Sequence, residues 1–485
     1  MDYKIKGCKP EKLFNFFEEI SAVPRGSKNN QGISDYLVKF AEDRNLDFYR
    51  DDLLNVIIRK PGSKGALDKD PVILQGHMDM VCEKIEGCDH DFEKEGIDIV
   101  VEDGFVHANG TTLGADDGTA VALMLTILDD DNAVHPPLEC LFTTDEEIGL
   151  LGAAGLDCSQ LKGHTMINLD SEEEGVITVS CAGGMRYTME RKYQSTELTG
   201  TEVKLSVSGL LGGHSGSDVD KERTNGIKLM ARILDTVSDN KNAHLVHFTG
   251  GSKDNAIPRE CKAAVLFNTA ADAAEAVKKW ELLKKDLENE ILPFEKSFQF
   301  SIDSEDNVTC KVMNREDSDA LLGAVLLVPN GVRKRNPSKD FFVITSLNLG
   351  VIRTENGVAE LVFSPRSSIE SLQEETISLL NRTASLFGFE TAIDGRYPGW
   401  EYKENSKVRE VFIESYSQLF NDDLKVEAIH AGLECGLFSA QIPNLDAVAV
   451  GPTLTGVHTP DEKMELASFE RFYSLLEDVL KRLAQ

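Results

Sequence analysis

The sequence lacks the features that mark membrane, secreted and disulfide-rich proteins. Its longest apolar stretch, around Ala120 to Leu128, is far shorter than the ~20 residues that span a bilayer. The N-terminal residues mix charged and apolar side chains and lack the unbroken apolar core of a signal peptide. The nine cysteines are scattered, without a close CxxC pair, which argues against a disulfide framework and a zinc ribbon. We therefore expect a cytoplasmic protein with reduced thiols and no membrane partner.

Basic residues are scarce relative to acidic ones. The chain has 51 Lys and Arg against 82 Asp and Glu, a formal net charge of −31. Nucleic-acid binding depends on Lys and Arg to neutralise phosphates, so we expect no nucleic-acid partner. The 485 residues exceed the roughly 250–300 at which a single hydrophobic core stops growing. Two globular domains are therefore expected.

The pattern along the chain predicts an α/β domain interrupted by an α+β domain. Short, nearly all-apolar strands alternate with amphipathic helices over residues 1–186 and again over 395–485, which predicts a mainly parallel sheet covered by helices on both faces. Residues 187–394 show alternating strands and charged helices instead, typical of a sheet with one solvated face. Two stretches of this insertion, His244 to Leu266 and Leu347 to Phe363, are weakly alike and suggest two similar halves.

A histidine and an aspartate follow the apolar run Val72–Leu74. His77 and Asp79 lie in the segment QGHMDMV, and the sites of open α/β sheets cluster at the carboxyl ends of strands. Residues two apart on a strand point to the same side, so Asp79 could accept from one ring nitrogen of His77 while the other binds a metal. Alone, the pair fits an ordinary hydrogen-bonded histidine equally well.

Acidic residues and a second histidine stand at four further predicted turns or strand ends. Each has an ordinary explanation when taken singly: helix capping for an aspartate pair before a helix, solvation for a run of charges, and exposure for a histidine in a Gly- and Pro-rich loop. The residues are Asp116 and Asp117 before a helix, Glu146 and Glu147 after the strand 138–143, Asp170 after the strand 166–169, and His458 after the strand 445–450.

Taken together, these segments predict a metal site. Five predicted strand ends present, in chain order, His, Asp, Glu-Glu, Asp and His, and the carboxyl ends of parallel strands lie on one edge of a sheet. Carboxylates mixed with imidazoles and no thiolate suit two zinc, cobalt or manganese ions better than a structural zinc site. One carboxylate must then bridge the two ions, and one must stay free as a base.

The motifs QGHMDMV, LGADDG, TTDEEIGL, NLD and GVHTP resemble those of the metallopeptidase family that includes carnosinase, aminoacylase and the bacterial tripeptidases, and most of all its aminoacyl-histidine dipeptidase branch. The resemblance extends over essentially the whole chain, with GGHSG, NAIPR, SPRSS and HAGLECG in its second half. It implies hydrolysis of dipeptides, Xaa-His dipeptides such as carnosine among them, with two divalent metal ions per chain. Zinc is the first choice of metal, and cobalt and manganese are alternatives.

The resemblance also implies the ligands of the two ions. His77 and Asp170 would bind one ion, and Glu147 and His458 would bind the other. Asp116 would bridge both ions.

Other acidic residues near these ligands would serve the reaction rather than hold metal. Asp79 would orient His77, and Glu146 would be the general base that takes a proton from the attacking water and delivers it to the leaving amine. The resemblance further implies a cis peptide between Asp116 and Asp117, whose own charge is not essential to the assignment.

The inserted domain would act as a lid and as the surface through which a homodimer forms. His214 would stabilise the oxyanion, and Asn255 and Arg366 would bind the substrate's C-terminal carboxylate, since Arg matches a carboxylate bidentately. Glu434 is a weaker candidate, for the substrate's free amino group. Local turn or surface bonding is the alternative for all four residues. Whether His214 serves its own chain or a partner's stays open.

Two other functions remain compatible with the sequence. An aminoacylase or another amidohydrolase could use the same metal residues, because they do not encode the substrate. A non-catalytic metal-binding protein could also retain the fold. The presence of Glu146, which is not needed to hold metal, argues against this second alternative.

Overall fold

The chain divides into two units, each with its own hydrophobic core. This computed structural model describes residues 3–337 and 342–485. The first unit comprises Met1–Cys181, Trp400–Ala428 and Leu433–Gln485, and the second comprises Ala182–Gly399 and Ile429–Gly432.

A mixed eight-stranded sheet lies at the centre of the first unit. Its four middle strands run parallel, and antiparallel pairs flank them on both sides. Two of the parallel strands are buried at every residue, as their mostly apolar sequences predict for a sheet covered on both faces. In spatial order the strands are Asp47–Arg50, Val56–Lys60, Leu138–Thr143, Val72–His77, Thr165–Asn168, Asp446–Ala449, Val176–Cys181 and Lys425–Ile429.

Amphipathic helices cover this sheet. The C-terminal helix Leu466–Leu483 buries Phe469, Phe472, Leu476 and Val479, a spacing of three and four residues that lines one helix face. Helix Ala115–Asp129 is buried almost all round, as a nearly uniformly apolar helix should be. The helices of the unit are Glu11–Ser21, Gln31–Asp43, Ala115–Asp129, Leu151–Gly155, Lys407–Phe420, Glu434–Gln441 and Leu466–Leu483, with a 3₁₀ turn at Cys158–Gln160.

A small four-stranded sheet flanks the main one. Its strands pair antiparallel and bring the segment after residue 454 beside the segment before residue 109. In spatial order they are Leu454–Thr455, Lys463–Glu465, Phe105–Ala108 and Ile99–Glu102.

The second unit is built on a nine-stranded antiparallel sheet. Helices Gly226–Asp235, Ala270–Ile291, Arg315–Leu327 and Glu370–Phe387 belong to it, together with a 3₁₀ turn at Val219–Lys221 and a small pair of strands, Gly213–His214 and Ala256–Ile257. In spatial order the strands of the large sheet are Gln299–Met313, Ser195–Ser208, Cys261–Phe267, Ala243–Gly250, Val343–Glu355, Val358–Ser367, Gly183–Lys192 and Glu390–Tyr397, with Gly331–Arg335 also paired to Val343–Glu355.

The middle of this sheet is a narrow junction. Ala243–Gly250 and Val343–Glu355 are joined by the register pair Gly250↔Ile352. Each side of that junction contains the same set of elements. These are two adjacent strands next to the junction, a helix that follows them in sequence, and two further strands. The two stretches with weak sequence similarity form the equivalent strand pairs next to the junction.

The predicted fold class, a helix-covered and mainly parallel sheet together with an α+β part, is confirmed by this topology. Across residues 3–337 and 342–485, the helices all fall short of the length and apolarity that a bilayer span requires. The nine cysteines are free thiols.

Candidate active site

Four strands of the main sheet lead to predicted ligand residues at the same edge. Val72–His77 ends on His77 itself, and the other three are followed by further candidates. These are Glu146 and Glu147 after Leu138–Thr143, Asp170 after Thr165–Asn168, and His458 after Asp446–Ala449.

The expectation of a fifth strand end is wrong. Asp116 lies in the first turn of helix Ala115–Asp129. The strand before it, Phe105–Ala108, belongs to the small flanking sheet, so the chain enters this helix from a loop and not from the main sheet. The ligand edge is therefore built from four strand ends and one helix start.

Asp116 lies between two histidines. Its Oδ1 is 3.0 Å from His77 Nε2, and its Oδ2 is 3.1 Å from His458 Nε2. Asp170 Oδ1 lies 3.9 Å from His77 Nε2, and Glu147 Oε2 lies 3.0 Å from His458 Nε2. The candidate ligand atoms form three groups, each within 4.8 Å, and Asp116 belongs to two of them, one with His77 and Asp170 and one with Glu147 and His458. The structure thus brings together the five residues expected to hold metal.

The backbone at Asp116 has the expected unusual form. The Asp116–Asp117 peptide is cis, and both residues have non-helical dihedral angles inside the helix. The buried Asp117 carboxylate accepts from the backbone N–H of His77 at 3.1 Å. A Cβ atom at Gly76 would lie 2.4 Å from Asp117 Oδ2, so glycine before His77 makes room for this contact.

Asp79 is placed to orient His77. Its Oδ1 lies 3.4 Å from His77 Nδ1, and its backbone oxygen lies 3.2 Å from the same atom. A proton on Nδ1 leaves Nε2 free to face Asp116 and Asp170. Asp79 also accepts from the hydroxyl of Ser27 at 2.8 Å and from the backbone N–H of Glu146 at 3.1 Å.

Glu146 lies close to the candidate metal ligands but belongs to fewer groups of them than Glu147 does. It forms one group of candidate ligands, with His77 and Glu147, whereas Glu147 also groups with Asp116 and His458. Burial raises the pKa of Glu146 to about 8, and the negative charges of nearby carboxylates add to the rise while His77 opposes it. A cation bound beside Glu146 would lower this pKa again, because an opposite charge favours the carboxylate.

The residues of the cluster fit two divalent cations. Burial raises the pKa of Asp170 well above its usual range, and the charges of Asp116, Glu146 and Glu147 raise it further. Glu147 Oε1 is buried and makes no hydrogen bond within the described residues. Cations would compensate this concentration of negative charge, and oxygen and imidazole donors without thiolate suit zinc, cobalt or manganese.

A buried arginine of the second unit lacks an acidic partner among the described residues. Arg366 is 6% exposed, and its Nη1 donates to the hydroxyl of Tyr397 at 3.0 Å. Its Nε is buried without a hydrogen bond, and among residues 3–337 and 342–485 it forms no ion pair with a carboxylate. A buried charge is stable only when paired, so this guanidinium fits an anionic ligand.

Two neutral histidines lie beside Arg366. His214 Nε2 is 3.5 Å from Arg366 Nη2, and the backbone N–H groups of Gly216 and Ser217 donate to His214 Nδ1 at 3.3 and 3.2 Å. Burial, together with the charge of Arg366, lowers the pKa of His214 and lowers that of His430 to about 3. Because Nδ1 accepts from two backbone N–H groups, the neutral form of His214 carries its proton on Nε2.

Asn255 lies next to the His214 loop but is not shown to join Arg366. The pair His214↔Ala256 places it beside that loop, and its backbone oxygen accepts from the N–H of Ser215 at 2.8 Å. Its side chain is exposed, and within the described part of the chain no hydrogen bond links it to Arg366.

Glu434 belongs to the first unit and is fully buried. Its Oε2 accepts from Gln75 Nε2 and, at 2.8 Å, from Thr143 Oγ1, and Gln75 in turn accepts from Asn168 Nδ2 at 2.6 Å. Glu434 therefore connects the strands that precede His77, Glu146 and Asp170. Burial raises its pKa to about 7, and its Oε1 has no hydrogen-bond partner among the described residues.

Two buried charged residues that the sequence patterns did not single out also contact the cluster. Glu462 and Arg25 are each 2% exposed, and both bind the backbone around Asp116. Glu462 stands four residues after His458 in the motif GVHTPDEK, which is the one sequence signal that could have drawn attention to it.

A cluster of carboxylates and imidazoles at the carboxyl edge of a helix-covered parallel sheet is the arrangement expected of a metal-dependent hydrolase. The sequence profile of peptidase family M20/M25/M40 matches residues 73–482. The chain belongs to this family, which confirms the family and the peptidase class that the motifs indicated.

Similar proteins span nearly the whole chain. The cytosol non-specific dipeptidase of Escherichia coli (strain K12) is 37% identical over 477 residues, 98% of each chain. The crystal structure of aminoacylhistidine dipeptidase from Vibrio alginolyticus has 35% sequence identity and a TM-score of 0.92, and the match covers 99% of this chain and 98% of that one. Aminopeptidase PepT from Bacillus cereus shares the fold, with 17% identity, a TM-score of 0.56, and coverage of 99% of this chain and 100% of that one.

Proposed function

We propose that this protein hydrolyses dipeptides that carry a free amino group and a free carboxylate, Xaa-His dipeptides such as carnosine among them. The observation that carries the proposal is Asp116, whose two oxygens face two different histidines, each within a group of candidate metal ligands that includes Asp116. The names of the E. coli and Vibrio relatives support the dipeptide class. The E. coli name indicates a dipeptidase that is non-specific, whereas the Vibrio name indicates aminoacyl-histidine dipeptides. A panel of dipeptides with different side chains distinguishes these two specificities.

In this proposal His77 and Asp170 hold one divalent cation, Glu147 and His458 hold the other, and Asp116 contributes to both. When bound, the cations polarise the scissile carbonyl and lower the pKa of the attacking water. Zinc is the first choice, and cobalt and manganese accept the same donors. Asp79 keeps His77 Nε2 directed at the cluster through its contacts to Nδ1.

Glu146 acts as the general base. Its carboxylate takes the proton of the attacking water and delivers it to the leaving amine, a role that typically contributes about 10²–10⁴-fold in rate. The bond from its backbone N–H to Asp79 ties its position to the His77 segment.

His214 and Arg366 supply the groups that recognise the rest of the substrate. A neutral His214 presents a proton on Nε2 and can donate it as a hydrogen bond to the developing oxyanion. Arg366 binds the C-terminal carboxylate of the substrate, with Asn255 as a second donor. The charge of Arg366, which has no carboxylate partner among the described residues, supports this role. The position of Asn255 beside the His214 loop supports its assignment as the second donor.

Glu434 binds the substrate's free amino group in this proposal. Its unpartnered Oε1 offers an acceptor near Glu146, whose pKa responds to the charge of Glu434. An N-acylated substrate would leave that buried carboxylate facing a neutral group, which is unfavourable. Glu434 therefore favours a dipeptidase over the aminoacylase alternative.

The test is a substrate panel on one metal-loaded preparation. It compares a dipeptide, its N-acetyl derivative and its C-terminal amide, in wild-type protein and in Glu434→Gln. We expect the dipeptide to be cleaved fastest, and we expect Glu434→Gln to slow the dipeptide more than the N-acetyl derivative. Faster cleavage of N-acetyl substrates by the wild-type protein would establish the aminoacylase alternative instead.

A cytoplasmic location and a homodimer formed through residues 187–394 complete the proposal. The name of the E. coli relative, a cytosol dipeptidase, supports the location. Sedimentation of the purified protein tests the assembly, and a monomer at micromolar concentration would contradict it.

A further inference from the structure

A buried carboxylate holds the turn that presents Asp116. Glu462 Oε2 accepts from the backbone N–H groups of Leu113 and Gly114 at 2.7 and 2.9 Å. Its Oε1 accepts from those of Ala115 and Asp116 at 2.7 and 3.2 Å. Four consecutive peptide groups are thus bound by one side chain. Because Glu462 follows His458 by four residues, the same contact joins the Asp116 turn to the His458 loop.

A buried arginine binds the same turn from another segment. Arg25 Nη1 donates to the backbone oxygens of Met78 and Asp79 at 3.1 and 3.0 Å, and its Nη2 donates to the oxygen of Gly114. A Cβ atom at Gly114 would lie 2.6 Å from Arg25 Nη2, and the positive φ of 70° at Gly114 also favours glycine. Arg25 therefore joins the Asp116 turn to the segment after His77.

These two side chains fix three ligand-bearing segments relative to one another. Removing an ion from water is unfavourable, and Glu462 offsets this with four N–H bonds while Arg25 offsets it with three carbonyl bonds. Neither residue offers an atom to the clusters of candidate metal ligands. Their contacts are to the backbone around the ligands, where second-sphere residues usually determine ligand geometry and metal affinity.

We propose that Glu462 and Arg25 are positioning residues that hold Asp116 with one oxygen toward His77 and the other toward His458. By doing so they set the affinity with which the second of the two divalent cations binds. The inference rests on the proposed metal site. Glutamine at position 462 keeps one acceptor oxygen but turns an NH₂ group toward two of the four N–H donors. The turn then loses half of its bonds.

The experiment is a competitive titration of metal-depleted protein with zinc against a chelating indicator, with thermal unfolding measured on the same samples. We expect Glu462→Gln to weaken binding of the second zinc ion by about 10- to 100-fold, the range typical of second-sphere changes. Arg25→Lys, which replaces a fork by a single ammonium group, should act in the same direction and provides a second variant if Glu462→Gln does not fold.

Glu139→Gln is the matched control. Glu139 is another buried carboxylate of the first unit that accepts backbone N–H groups, from Lys162 at 2.9 and 3.1 Å and from Gly163 at 2.9 Å. It should lower the unfolding temperature without weakening the second zinc ion. Wild-type affinity in Glu462→Gln, or an equal loss in Glu139→Gln, overturns the positioning role while the metal site stands. A wild-type protein that binds fewer than two zinc ions overturns the proposed metal site itself and the positioning role with it.

Discussion

The proposed role of Arg366 gives a quantitative prediction. Replacing it with Met keeps much of the side-chain volume and removes the charge that would bind the substrate's carboxylate. Truncating one partner of a buried charge pair costs about 2–5 kcal/mol. Since about 1.4 kcal/mol corresponds to a factor of ten, kcat/KM for a dipeptide should fall by about 30-fold to several thousand-fold. For the C-terminal amide of the same dipeptide, which has no carboxylate, the fall should be less than about tenfold.

The assay measures kcat/KM for the dipeptide and its amide in wild-type protein, Arg366→Met and a control. Arg191 is a suitable control, because it is a largely buried arginine of the same unit that already has an acidic partner, Asp317, at 2.6 Å. Arg191→Met should leave the ratio between dipeptide and amide unchanged. If Arg366→Met slows dipeptide and amide equally, Arg366 does not bind the carboxylate and its missing acidic partner needs another explanation.

Three further predictions concern proton transfer, the oxyanion and acid stability. Glu146→Gln should keep about two metal ions per chain and lose at least ~10²-fold in turnover, whereas a collapse in metal content by elemental analysis would mean that Glu146 and Glu147 have been assigned in reverse. His214→Ala should keep its metal and lose turnover, and unchanged turnover would exclude a catalytic role. If His214 acts on the partner chain of a two-fold dimer, mixing His214→Ala with Glu146→Gln subunits should restore roughly a quarter of wild-type activity. Burial lowers the pKa of His430 from 6.5 to about 3, so between these values the unfolded chain binds a proton that the folded chain does not, and stability falls as the pH drops. His430→Gln should therefore lose less in Tm than wild type between pH 7 and pH 5, and an equal loss would contradict this.

The sequence could predict the strand ends because burial leaves a direct signature. Val72–His77 and Leu138–Thr143 are mostly apolar because they are covered on both faces, and the polar residues that follow such apolar runs therefore stand at the sheet edge. His77 and Asp170 are therefore expected to lie together, although about ninety residues of sequence separate them. Asp116 carries no such signature, because a loop that enters a helix has no periodic apolar pattern.

The buried charges that frame the site had no comparable signal. Arg25 and Glu462 contact backbone atoms of segments far along the chain, and a charged residue in a polar segment predicts a solvated surface by default. Glu434 is indicated in the sequence only by a motif, and its bonds to Gln75 and Thr143 depend on how two strands and a helix pack. Long-range packing of this kind is set by the tertiary fold rather than by local pattern.

The most direct test of the account is removal and return of metal. The purified protein is depleted with a chelator, metal content is measured by elemental analysis, and dipeptide hydrolysis is followed while zinc, cobalt or manganese is added back. The account predicts that activity disappears with the metal and returns as about two ions bind per chain, because the ion pair supplies the activation of water that these side chains alone do not. Full activity in a sample shown to be free of metal would contradict it.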